Sequence, residues 1–158
     1  MGAHLTSDNI FLKYNFKTTA DWKKIFSQNL PVITDTNFFI ACFENQVYLP
    51  SSIDIIIDQA YKIVVLKSVI KEINKLIQTS KFAENAMKLV EKYALVIDEN
   101  LISSDLPTQV DDQIIEIAIK LKIFNPIIAS GDRGVQKKAK RYKIPILTFK
   151  NKNLRVIK

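Results

Sequence analysis

From residue 31 onward, short apolar runs alternate with stretches of helical periodicity. Five runs are short and rich in β-branched residues: PVIT (31–34), KIVVL (62–66), ALVI (94–97), PIIAS (126–130) and IPILTF (144–149). They read as strands. The intervening segments predict helices over SSIDIIIDQAY (51–61), SVIKEINKLI (68–77), FAENAMKLVEKY (82–93), DDQIIEIAIKLK (111–122) and DRGVQKKAKRY (132–142). In the fourth of these, Ile114, Ile117, Ala118 and Leu121 form one inward stripe. Strands separated by helices argue for an α/β domain whose parallel sheet is covered on both faces. Residues 1–30 precede this pattern as an N-terminal arm. Its opening MGAHLTSDN is polar and expected to be mobile, while TTADWKKIFSQNL predicts a helix starting at Thr18 or Thr19. Residues 151–158 read as a basic C-terminal tail, leaving one domain over 31–150.

Ligands of a doubly wound sheet gather beyond the carboxyl ends of its strands, where the strand order reverses. The acids are therefore sought there. Asp35 closes PVIT, and Asp132 follows PIIAS after one residue. If those two strands are neighbours, the carboxylates face each other across about 4.8 Å. Asp111 and Asp112 fall in the first turn of the fourth helix, where Asp commonly serves as a cap or dipole partner. Taken by themselves, capping is the better account of that pair. Glu72 borders the apolar face of the second helix, and its plain alternative is a surface glutamate near Lys75.

Composition removes much competing chemistry. The one histidine, His4, lies in the polar opening, so histidine acid–base pairs and the Ser-His-Asp arrangement lack their central member. Three glycines, Gly2, Gly131 and Gly134, are too few for a phosphate-cradling loop. The single Cys42 forms neither an internal disulfide nor a zinc cage and suits a reducing interior. No apolar run reaches the roughly 18 residues of a membrane span, and the N-terminus has no signal-peptide pattern, so a cytoplasmic protein without membrane contact is expected. The formal charge of +7 is concentrated at one end: residues 133–158 hold ten Lys and Arg and no acid. A stretch that basic points to a polyanionic partner.

ITDTN, a Glu early in the helix after the second strand, VDDQIIEIA, and IIASGD before a basic helix and a closing IPILTF together resemble the PIN-domain nucleases. The match spans about residues 31–150. VDDQIIEIA and KIPILTF are most similar to the archaeal and eukaryotic rRNA-processing branch. The resemblance implies a three-layer α/β sandwich around a five-stranded parallel sheet, order 3-2-1-4-5. It implies catalytic acids at Asp35, Glu72, Asp112 and Asp132, of which Asp35, Asp112 and Asp132 are metal ligands and Glu72 a ligand or water-orienting base. Asn37 and Ser130 match accessory polar positions. Asp111 matches the doubled acid of this branch, as ligand or as cap. Two departures stand out: the long arm, and Gly131 where relatives often carry Asn.

Like charges about 4 Å apart repel by roughly 4 kcal/mol at an effective dielectric near 20, so converging carboxylates need protons or a divalent cation. Oxygen ligands favour Mg²⁺ or Mn²⁺; zinc is disfavoured for want of histidine and thiol in the core. Metal-assisted phosphodiester hydrolysis is the expected reaction. Lys137, Lys138, Lys140, Arg141 and Lys143 are expected to contact nucleic-acid phosphates, and Lys150, Lys152, Arg155 and Lys158 extend that track. By the resemblance the substrate is RNA in single-stranded or loop regions. The expectation is thus an Mg²⁺/Mn²⁺-dependent endoribonuclease, in RNA (rRNA) processing or as the toxin of a toxin–antitoxin pair. The alternative from another class is a non-cleaving RNA-binding module. A receiver domain ranks low, since its paired acids are absent after the first strand. An antitoxin or an RNA-processing complex as protein partner, and a homodimer, stay open.

Overall fold

The computed structural model describes residues 7–158. Its centre is a seven-stranded sheet in the order β1-β4-β3-β2-β5-β6-β7. The five expected strands are β2 (Leu30–Thr34), β3 (Tyr61–Leu66), β4 (Ala94–Ile97), β5 (Ile127–Ala129) and β6 (Ile146–Lys150). All four pairings among them are parallel, in the sequence β4-β3-β2-β5-β6. The 3-2-1-4-5 order implied by the resemblance is thus the order observed. Val32, Ile33, Val64, Val65 and Ile128 are fully buried, as sheet residues covered on both faces must be.

Two further strands widen the sheet. β1 (Lys17–Thr18) pairs parallel with β4, and β7 (Asn153–Ile157) pairs antiparallel with β6. Residues 153–157 are therefore strand, where the sequence predicts tail. The reason is the Asn151-Lys152 connection: both residues have positive φ, 52° and 67°, giving the two-residue hairpin turn whose twist matches the strands it joins. Asn at the first of these positions was its sequence signal.

Helices cover the sheet in two groups. α3 (Phe38–Glu44), α5 (Lys67–Leu76) and α6 (Ala83–Tyr93) pack together, with α1 (Ser7–Lys13) against α5. α7 (Val110–Lys120) and α8 (Arg133–Arg141) pack on each other. The strand order runs outward from β2 in both directions, and the right-handedness general to parallel crossovers then puts these groups on opposite faces. The expected inward stripe of α7 is fully buried. α3 was not predicted, because FFIACF is apolar on every side and has no period to read. Of the helix predicted over 51–61 only α4 (Ser51–Asp54) forms; the chain then tapers through a turn that buries Ile57 and exposes Ile55.

The arm also differs from expectation. The helix predicted from Thr18 or Thr19 begins at Trp22 (α2, Trp22–Phe26), since Lys17 and Thr18 are held in β1. Of the opening expected to be mobile, residues 1–9, residues 1–6 lie outside the described residues, while 7–9 begin the helix α1 rather than a mobile tail. Ile10, Tyr14 and Phe26 are buried in the common core. Among the described residues no helix is long and apolar enough to cross a membrane. Because Ile10 is fully enclosed, Ile10→Ala is expected to cost about 2–5 kcal/mol in urea denaturation. A detachable arm would show almost no loss.

Candidate metal and RNA-cleavage site

The strand order reverses between β2 and β5, and there the chain places its acids. Asp35 follows β2 directly; its backbone N–H donates to the Ala129 carbonyl at 3.1 Å, extending the β2–β5 ladder one step past the strand. Its own carbonyl accepts from Phe38 N–H, which starts α3. The backbone thus turns over the sheet edge with the Asp35 side chain folded inward, 4% exposed.

One Asp35 oxygen, Oδ2, accepts a hydrogen bond from the Ser130 hydroxyl. The other, Oδ1, is buried and has no hydrogen-bond partner among the described residues. Burial pushes the Asp35 carboxyl up to about 6; the Ser130 hydroxyl opposes the shift, and the nearby Asp111 and Asp132 charges add to it. Ser130 is itself fully buried and serves both sides, for its Oγ accepts from the Asp132 N–H at 3.0 Å. Gln136, one turn into α8, donates to the Ser130 carbonyl and to Thr148 Oγ1, tying this corner to β6.

Asp132 caps α8: its Oδ1 accepts from Val135 N–H at 3.0 Å. A Cβ on Gly134 would stand 3.0 Å from that same oxygen, so glycine there gives the capping carboxylate room. Glu72, at the border of the α5 apolar face, accepts from the Thr36 hydroxyl. Asp35, Asn37, Glu72, Asp111 and Asp132 line one cleft of about 410 Å³, with Thr36 and Lys75 also on its walls.

Asp112, expected as the ligand from α7, does not line this cleft. Its carboxylate takes the Lys138 ammonium of α8 instead. Adjacent helix residues point about 100° apart, so only one of two consecutive acids faces a given neighbour. Here that is Asp111. Burial raises its carboxyl, followed by the charges of Asp132 and Glu72. Neither acid caps α7, whose N-cap Gln109 makes no side-chain bond. Asn37 sits on the cleft wall and Ser130 beneath it. Sequence reasoning missed Thr36 and Gln136; a hydroxyl beside Asp35 and a glutamine one turn past Asp132 were the available signals.

Every donor on the cleft acids is oxygen, which suits a hard divalent cation, and the orphaned Asp35 Oδ1 is a place for one. Among the described residues no three carboxylate, thiol or imidazole groups stand close enough to enclose an ion unaided. An ion held here would keep several waters, the usual habit of Mg²⁺.

The five basic residues expected to form one nucleic-acid patch separate. Lys138 turns toward α7 and Asp112, whereas Lys137, Lys140 and Lys143 line a groove on another side of α8.

No protein-family model matches the chain, and no curated protein matches it. Among solved structures, the PIN domain endonuclease Utp24 is similar, with a TM-score of 0.66 and 22% sequence identity over 80% of this chain and 90% of that one. The order of the five central strands, the acids at the β2–β5 switch point and this likeness agree: the chain has the PIN-domain fold.

Proposed function

We propose that the chain is an Mg²⁺- or Mn²⁺-dependent endoribonuclease, hydrolysing RNA phosphodiester bonds in the cleft between the ends of β2 and β5. The observation that carries this reading is the Asp35 carboxylate, buried with one oxygen unpartnered among the described residues and faced by Glu72, Asp111 and Asp132. Such an oxygen is too costly to leave bare unless a proton or a cation meets it.

Asp35 would hold the ion directly, and Asp111 and Asp132 directly or through water. Asp111 replaces Asp112 in this role, because Asp112 is occupied by Lys138. When bound, the ion supplies a water of lowered pKa and charge stabilisation at the phosphate. The chain's own part is positional. Ser130 fixes the Asp35 rotamer, and Thr36 holds Glu72 so that its carboxylate accepts the proton of the attacking water. Lys75 on the wall, with Lys138 beside α7, offsets the charge of an incoming phosphate. The resemblance to PIN-domain nucleases favours RNA in single-stranded or loop segments as the substrate.

The test is cleavage of end-labelled single-stranded RNA with Mn²⁺, then with EDTA. Internal cuts with Mn²⁺ and none with EDTA are expected; metal-independent binding without cutting would end the enzyme reading.

Asp35→Asn is expected to abolish cleavage while leaving the metal-free protein more stable at pH 7.5, by about 1–3 kcal/mol in chemical denaturation. The sign follows from the raised carboxyl: the fold takes up a proton that the unfolded chain has released. In EDTA, the contribution of Asp35 is therefore fully present below about pH 4 and lost as pH rises through about 6. The wild type loses this contribution over that window, and the variant lacks that component of the pH dependence.

Asp111→Asn should lower the cleavage rate at least about 100-fold, at or beyond the roughly 10–100-fold of losing an outer partner, and Asp112→Asn, outside the cleft, less than about 10-fold. The reverse ranking in single-turnover kinetics would return the role to Asp112. Ser130→Ala, which frees Asp35 without removing it, is expected to raise the Mn²⁺ concentration needed for half-maximal rate by about 10-fold or more.

A further inference from the structure

A second concavity, of about 630 Å³, lies between α8 and the β6–β7 hairpin. It shares no lining residue with the carboxylate cleft. It starts beside the cleft at Arg133 and Gln136 and extends to the opposite end of the sheet. Lys143, Ile144 and Pro145 precede β6, and Lys158 follows the antiparallel β7, so these residues sit where the parallel strands begin. The carboxylates sit where those strands end. Arg133, Lys137 and Lys140 run down α8 between the two, over a helix roughly 13 Å long.

The groove combines two properties. Its base is aliphatic: Ile144 and Ile146 are buried beneath it, and the apolar surface it offers comes from Ile157, 39% exposed, and the part-exposed Pro145. Around that base stand Arg133, Lys137, Lys140, Lys143 and Lys158, with no acid among the lining residues. Lysine stems add further apolar wall while their ammonium groups stay at the rim. Single-stranded nucleic acid is held by cations together with aromatic faces on which bases stack. No aromatic residue lines this groove. A segment that buries aliphatic side chains and carries carboxylates fits both properties at once. β7 ends the sheet, so one of its edges is open to an added strand among the described residues.

We propose that this groove docks an acidic, amphipathic segment of a partner protein, its apolar side chains on Ile157, Pro145 and the lysine stems and its carboxylates on the surrounding ammonium groups. The docking leaves the carboxylate cleft uncovered and needs no metal, so it stands independently of the cleavage chemistry. Lys137, Lys140 and Lys143 then belong to a protein partner rather than to RNA.

The test uses the full chain and a fluorescein-labelled 12-residue peptide alternating Leu and Glu, read by anisotropy in EDTA. A version with Gln for Glu and a 12-nucleotide oligouridine serve as comparisons. Ile157→Asp and the double variant Lys137→Glu, Lys140→Glu alter exposed positions, and unchanged circular dichroism and melting verify the fold. Saturable binding of the Glu peptide, weakened at least tenfold in both variants and in the Gln peptide, with oligouridine affinity within twofold of wild type, supports the proposal. No binding to the wild type, or binding untouched by both variants, overturns it. Loss of oligouridine affinity in the variants without loss of peptide affinity overturns it in favour of an RNA track. A wild-type dimer in sedimentation that Ile157→Asp dissolves overturns it in favour of a second copy of this chain.

Discussion

A hydrogen bond between two buried side chains, Ser130 and Asp35, joins residues 95 positions apart at the ends of β2 and β5. The proposed site depends on it. It exists because β2 and β5 are parallel neighbours, with Thr34 opposite Ala129, so the residues just past both strands leave the sheet side by side. Ser130 also accepts from the backbone of Asp132, which makes one hydroxyl the spacer between two carboxylates. Neither acid depends on a long loop for its position. Asp35 hangs from a strand end, and Asp132 is fixed by capping a helix. A site built on element ends keeps its geometry better than one built on mobile connections.

That arrangement is electrostatically unfavourable when empty. Asp35 is desolvated and faces Asp111 and Asp132, while Asp111 faces Asp132 and Glu72. Cooperative packing elsewhere holds these acids together: the α7 stripe of Ile114, Ile117 and Ala118 and the central strands are fully buried, and those contacts fix where the acids point. The fold thus stores a repulsion that the proposed divalent cation would relieve. By linkage, any ion that binds the folded chain and not the unfolded one returns that energy as stability.

Much of this was legible in the chain, and the parts that were not have specific causes. The five central strands showed because each is a compact apolar run between periodic segments. Asp35 and Asp132 showed because each closes such a run. The choice between Asp111 and Asp112 was not legible: both fall in the first turn, and rotating α7 by about 100° exchanges them. What decides is α8, whose Lys138 claims Asp112, and that contact spans 26 positions of chain. α3 escaped because an all-apolar helix has no polar face to mark its period. β1 and β7 escaped because two residues, or five with alternating exposure, offer too little apolar signal.

Net charge along the chain did not show how folding would distribute it. Ten basic residues without an acid suggest one continuous surface for a polyanion. Folding sorts them. α8 is a short amphipathic helix with Val135 and Ala139 buried, so its cations occupy two faces on either side of that apolar line. Lys138 falls on the α7 face, where an acid already waits. Lys137 and Lys140 fall on the hairpin face, where the neighbours are isoleucines and further lysines. Charge of one sign therefore meets two environments: near α7 it is partly neutralised and close to the carboxylate cleft, and over the hairpin it stays uncompensated beside apolar surface. Only the second face sets its cations beside apolar surface, and it is that combination, not charge alone, which the proposed docking of an acidic, amphipathic segment would use.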